Sequence, residues 1–283
     1  MPCNEDSEAA AAAFVMSGAV SIPRPGSYNP PMQTSSPDTA AGGIHLVGFD
    51  ADDTLWRSED YFAAAQREFE RIVGGYIDLD NARARQRLLA IEKGNLALFG
   101  YGVKGMALSM IEAAVDITAQ RISATDLHRI VSIAKDMLRH PVELLPDVRA
   151  AVEAVAREHA VVLITKGDLF HQEAKVRQSG LADLFGRIEI VSEKDDATYH
   201  RVLGEFGLGP AQFCMVGNSL RSDIAPVLRL GGWAVHVPYH LTWEHEREAD
   251  IDPAVGDRWR ELPGIGGLPA AVRSLHELAC ATR

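Results

Sequence analysis

Apolar and polar positions along this chain follow two different periods, and the points where one gives way to the other divide it into segments. Five short runs are continuously apolar and rich in β-branched or aromatic residues: IHLVGF from Ile44, AVVLIT (160–165), IEIV (188–191), FCMV (213–216) and WAVHV (233–237). Runs of that length and composition predict strands buried on both faces. Between them lie stretches of helical period such as LPDVRAAVEAVAREH, which opens with Pro and Asp as a helix start does. Strands alternating with helices predict an α/β fold, a Rossmann-like and mainly parallel sheet with helices on both faces. Residues 59–142 interrupt this order. YFAAAQREFERIV, ARQRLLAIEK, KGMALSMIEAAVDITAQ and DLHRIVSIAKDMLR all carry the 3.6-residue period with no strand among them. The expected organisation is a discontinuous core domain, 43–58 with 143–283, and an inserted all-helical domain at 59–142. Residues 1–42 are rich in Ala, Ser, Pro and Gly, have neither period, and are expected to be a disordered N-terminal extension.

Composition narrows the function. A chain of 283 residues can bury a sizeable core in each part. Its formal net charge of -11, with no Lys/Arg-rich block, argues against nucleic acid and against an anionic membrane as partners, and for a small soluble molecule. The three cysteines, Cys3, Cys214 and Cys280, are widely spaced and form no CxxC pair, which suggests neither a disulfide framework nor a zinc site. The N-terminus is acidic where an export signal carries Lys or Arg, and no segment reaches transmembrane length, so a cytoplasmic location is expected.

In an open parallel sheet, ligands bind beyond the carboxyl ends of the strands, so the polar residues after each apolar run are the candidates for chemistry. These are Asp50 and Asp52 after the first run, Thr165 after the second, Lys194 after the third, and Asn218 to Asp223 after the fourth. The set suits a phosphoryl group: a carboxylate to attack phosphorus, a second carboxyl to move protons, a hydroxyl and an ammonium to hold oxygens. Carboxylates facing a phosphate dianion repel it by several kcal/mol at about 4 Å, which calls for a divalent cation. Mg²⁺ fits such a hard, oxygen-rich site.

FDADDTLW resembles the first motif of the haloacid dehalogenase superfamily, and LITKGD, SEKDDATY and VGNSLRSDI stand in order where its second, third and fourth motifs fall. The likeness runs over roughly residues 44–240. It implies a hydrolase of phosphate monoesters of a small soluble metabolite. Asp50 would form an aspartyl-phosphate, and Asp52 would protonate the leaving oxygen and then activate water. Mg²⁺ would touch Asp50, the backbone carbonyl of Asp52 and the fourth motif, where Asn218 and Asp223 are the candidates. Thr165 and Lys194 would hold the phosphate. The helical block would be a cap over the site. Its Gly-rich break, with Gly94, Asn95, Gly100, Tyr101, Gly102, Lys104 and Gly105, either faces the core or simply joins two helices.

The chain departs from the pattern at two places. Asn218 stands where the fourth motif usually has Asp, which predicts weaker metal affinity, and Lys166 follows Thr165 where Asn is common. Other patterns carry less. The acidic turn at Asp50 cannot be an EF-hand, because Leu55 and Tyr61 occupy its Gly and Glu positions. His240 and His245 in YHLTWEHERE are expected in a solvated loop at the rim rather than at a metal, Asp223 could serve only as a helix cap, and Lys175 is the alternative to Lys194. Two rival functions remain: dehalogenation of a 2-haloacid, which needs no acid for the departing halide, and a non-catalytic binding or regulatory role on the same scaffold.

Overall fold

The computed structural model describes residues 20–22, 42–77, 82–243, 246 and 251–281. The strands are β1 (Val20–Ile22), β2 (Leu46–Phe49), β3 (Ala160–Lys166), β4 (Arg187–Val191), β5 (Phe213–Gly217), β6 (Trp233–His236) and β7 (Trp259–Glu261). They form one sheet in the order β1-β4-β3-β2-β5-β6-β7, in which β2 to β7 run parallel and β1 joins the β4 edge antiparallel. From β2 the chain winds one way through β3 and β4, then returns to the other side for β5, β6 and β7. That reversal beside β2 is where an open α/β sheet leaves a crevice.

The expected strands all form, and their apolar runs split by alternation between two cores. Val47, Phe49, Val161, Leu163, Cys214 and Val216 face one layer, with the helices α5 (Val148–Ala156) and α9 (Leu268–Ala281). Leu46, Val162, Ile164, Phe213 and Met215 face the other, with α7 (Asp196–Phe206) and α8 (Ala225–Leu230). Both faces are covered, which is why these strands read as continuous rather than alternating.

Two strands differ from expectation. β1 falls inside the segment expected to be disordered: Val20, Ser21 and Ile22 pair with Ile190, Glu189 and Ile188. Three residues of alternation between Pro- and Gly-rich flanks are too few to register as a period. The rest of residues 1–41 lies outside the described residues. β7, the short WRE, escapes notice for the same reason.

The inserted block contains the helices α1 (Glu59–Val73), α2 (Ala82–Phe99), α3 (Val103–Ile117) and α4 (Ala124–Arg139). They enclose a separate core around Phe69, Ile72, Leu88, Met110 and Ile130. Its two connections to the sheet run side by side. The Arg57 N–H donates to the Glu143 carbonyl at 3.0 Å and the Leu145 N–H to the Leu55 carbonyl at 3.0 Å. Among the described residues, no helix is long and apolar enough to cross a membrane.

Candidate active site

Parallel register sets Phe49 beside Leu163 and Val216, and Thr165 beside Ile190, so the carboxyl ends of β2 to β5 lie together. Asp50, one residue past β2, donates its N–H to the Val216 carbonyl at 2.8 Å, which fixes its backbone against β5. Thr54 donates its hydroxyl to Asp50 Oδ2 at 2.8 Å, and the Lys194 ammonium donates to Asp50 Oδ1. Lys194 also donates to Asp223 Oδ1 at 2.8 Å, and its side chain is only 2% exposed. A buried ammonium is tolerable only when paired in this way.

Asp223 reaches Lys194 because Leu220–Ile224 form one π-helical turn, a local widening frequent at functional sites. The Ser219 N–H donates to Asp223 Oδ2 at 3.0 Å, while Ser219, not Asp223, caps the turn by accepting from the Ser222 N–H. Gly217 is required beneath it, since a Cβ there would stand 2.2 Å from Asp223 Oδ2. Burial pushes the Asp50 carboxyl up to about 6; Lys194 opposes the shift and the charge of Asp223 adds to it. The two carboxylates raise the Lys194 pKa against its own burial.

Asp52 faces a different cation. Lys175 donates to both of its oxygens, at 2.6 and 2.7 Å; Trp56 Nε1 donates at 2.6 Å and Gln172 Nε2 at 2.9 Å. Burial works to raise this carboxyl, but Lys175, Gln172 and Trp56 together hold it below the usual range. Lys175 is therefore no substitute for Lys194: the two lysines serve separate carboxylates. Gln172 and Lys175 are carried by α6 (Leu169–Ser179), which Asp168 caps by accepting from the His171 N–H at 3.0 Å. Gln172 also donates to Thr165 Oγ1 at 3.0 Å, placing the buried Thr165 hydroxyl between Asp52 and the strand end.

Lys166, the cation that stands where Asn is common, is largely buried. Its ammonium is an internal ion-pair centre, donating to Glu246 Oε1 at 2.6 Å, Ser222 Oγ at 2.8 Å and Glu193 Oε1 at 3.3 Å. It lies 4.2 Å from the centre of the Tyr101 ring. Glu246 accepts further from Ser219 Oγ at 2.6 Å. Burial is outweighed by Lys166 and the hydroxyls, so its carboxyl is held down at about 2. Exposed His240 pairs with Asp60 at 3.1 Å, whereas His245 lies outside the described residues.

The helical block closes the site. Tyr101 donates its hydroxyl to Glu193 at 2.7 Å and Lys104 pairs with Asp168 at 2.9 Å, so the Gly-rich break faces the core. Gly94 and Asn95 belong to α2 and the break itself is Gly100–Gly102. Between block and core lies a cavity of about 230 Å³, bounded by Asp50, Asp52, Thr165, Lys194, Asn218 and Asp223 on the core side. Phe62, Glu92, Leu96, Met106 and Met110 bound it from the helical side.

The candidate metal ligands are oxygen donors on this wall. The Thr54 hydroxyl that binds Asp50 also lies 3.3 Å from Asn218 Oδ1, so the amide oxygen faces the same carboxylate. Two buried carboxylates, Asp50 and Asp223, share the single ammonium of Lys194. The surplus negative charge and hard donor set fit a small dication. Among the described residues no group of three or more His, Cys, Asp or Glu side chains converges as a metal site, and the Asp52 carboxylate is turned to Lys175.

Sequence reasoning missed Gln172, Trp56 and Glu246, and singled out neither Ser219 nor Ser222 within the span Asn218 to Asp223. Asp168, Gln172 and Lys175 do recur at one-turn spacing on α6, a pattern that a helical projection would have revealed.

The sequence profile of haloacid dehalogenase-like hydrolases matches residues 44–231. No functionally curated protein matches the chain. A haloacid dehalogenase-like hydrolase from Xanthomonas campestris is 54% identical, with 85% of this chain and 100% of that one covered and a TM-score of 0.78. A 2-haloacid dehalogenase from Pseudomonas syringae is 22% identical, covering 82% and 99% with a TM-score of 0.54. A predicted phosphoglycolate phosphatase from Haemophilus somnus is 19% identical, covering 80% and 96% with a TM-score of 0.52. The last two share the fold, one on each side of the division between carbon-halogen and phosphate chemistry. With the profile spanning more than half its length, the chain belongs to the haloacid dehalogenase-like hydrolases.

Proposed function

We propose that this protein hydrolyses phosphate monoesters of a small metabolite with the help of Mg²⁺. The observation that carries this reading is a second carboxyl, Asp52, bordering the same cavity as Asp50. A departing alkoxide needs a proton, whereas a departing halide does not. Asp50 attacks phosphorus and the ester oxygen leaves with the phosphoryl group transferred to the carboxylate. Lys194 holds Asp50 in place and offsets the charge that gathers on the phosphoryl oxygens, and the Thr165 hydroxyl, which accepts from Gln172 and donates only a long 3.4 Å contact to the Lys166 carbonyl, turns its proton to them. Asp52, on the wall of the same cavity, delivers a proton to the leaving oxygen. In the second step Asp52 takes a proton from water, which attacks the aspartyl-phosphate and frees Asp50. Asp50, Asp223, the Asn218 amide and the Asp52 backbone carbonyl would hold Mg²⁺, which supplies charge neutralisation for the phosphate.

The ion pair with Lys175 favours one alternative, 2-haloacid dehalogenation, because a carboxylate kept ionised is a weak acid and that chemistry needs none. Turnover of p-nitrophenyl phosphate that requires Mg²⁺ and is abolished in Asp50→Asn is the expected result. Release of chloride from 2-chloropropionate without metal, and no phosphate turnover, would reverse the choice.

A further inference from the structure

Carboxylates crowd the cavity, and those described above are each held by donors: Asp50 and Asp223 by Lys194, Asp52 by Lys175, Asp168 by Lys104 and Glu246 by Lys166. Asp53, also on the wall, accepts from the Ser58 N–H at 2.8 Å and the Glu59 N–H at 3.0 Å. Glu92 is different. It projects from α2 into the cavity from the helical side, half-buried, with no hydrogen-bond or ion-pair partner among the described residues. Apolar Phe62, Leu96, Met106 and Met110 share that wall, and its polar Gln66 and Ser109 donate elsewhere, to Glu70 Oε1 and to the Gly105 carbonyl. Asn95, one turn further along α2 and also on the cavity wall, is already engaged, its Nδ2 donating to Glu112 Oε2 at 2.8 Å and Ser109 Oγ at 3.2 Å.

Resting on the phosphatase reading, we propose that Glu92 binds a protonated amine on the alcohol portion of the substrate, making that substrate a small aminoalkyl phosphate. An isolated carboxyl facing apolar walls is costly to keep ionised, and burial alone pushes Glu92 up to about 7. A ligand ammonium supplies the missing partner, whereas a neutral hydroxyl donates one hydrogen bond and leaves the charge uncompensated. The two ends of the cavity are then complementary to a zwitterion. The phosphate meets Lys194 and the oxygen donors of the core, and the amine meets Glu92 on the cap side.

Three phosphates of matched length discriminate: O-phosphorylethanolamine, ethylene glycol monophosphate and propyl phosphate, assayed with Mg²⁺ beside p-nitrophenyl phosphate. The expected kcat/KM for the amine exceeds that for the alkyl ester by about tenfold or more. Glu92→Gln brings that ratio close to one, and Glu92→Asp restores part of it. A wild-type ratio near one, a ratio that Glu92→Gln does not change, or a hydroxyl ester as good as the amine overturns the assignment while p-nitrophenyl phosphate is still cleaved. Failure to cleave any phosphate, p-nitrophenyl phosphate included, overturns the phosphatase reading and this assignment with it.

Discussion

Asp52 can act as an acid only while it carries a proton, and Lys175 works against that by stabilising the carboxylate. Replacing Lys175 with Met removes the cation, so the Asp52 pKa rises and its protonated form persists to higher pH. For an alkyl phosphate, the branch of the pH-rate profile on which activity falls as Asp52 loses its proton moves upward by about one unit or more. With p-nitrophenyl phosphate, whose leaving group departs without a proton, no such movement is expected; an unchanged alkyl profile would remove Lys175 from the catalytic account. How much of this site the sequence disclosed follows from where each residue sits. Asp50, Asp52, Lys194, Asn218 and Asp223 were found because each follows a strand within a few residues, and Thr165 because it is a polar residue at the carboxyl end of β3. Lys175 and Gln172 lie inside a helix at a spacing that also describes a solvated face, and Glu246 reaches the site from a loop with no period at all. Contacts between Lys166, Glu246, Ser219 and Ser222 bridge up to 80 positions of sequence, and no local pattern encodes them.

Two glycines in regular or near-regular elements should respond in opposite ways. Gly217, the last residue of β5, leaves room for the Asp223 carboxylate, and Gly217→Ala forces that carboxylate away from Lys194. A loss of about 1–3 kcal/mol in urea denaturation, together with loss of turnover, is expected. Gly204 sits within α7 with open space where a Cβ would go, so Gly204→Ala should stabilise by about 0.5–1 kcal/mol and leave catalysis alone. If both variants behave alike, the close approach at Gly217 has no energetic weight. Elements were legible in proportion to their length. Strands of four or more residues, α5 and the four helices of the inserted block stood out by period, while β1 and β7, with three residues each, depend on the neighbour they pair with.

For the folded molecule as a whole, the crowding of Asp50 against Asp223 ties stability to pH and to metal. A carboxyl whose pKa is raised by folding, here from 3.8 to about 6, favours the folded state at low pH and loses that contribution as pH climbs through this window. Lys194 is protonated throughout it and adds no slope. The metal-free protein should therefore melt at a lower temperature at pH 7 than at pH 5, provided the carboxyl group of Asp50 dominates this range. Mg²⁺ at a hundred times its Kd should restore about 2.7 kcal/mol at pH 7. Calorimetry checks both; Asp223→Asn should abolish the metal response, and Asn218→Asp should reach it at lower Mg²⁺ concentration. The paired crossings at Arg57–Glu143 and Leu55–Leu145 also bear on how such a protein diversifies. Because the chain leaves the sheet and re-enters it at adjacent points, the helical block is a detachable cassette. Another helical insert with neighbouring ends could take its place without disturbing the order of the strands, so new substrates can be acquired by exchange of one contiguous stretch while the reacting carboxylate stays where it is.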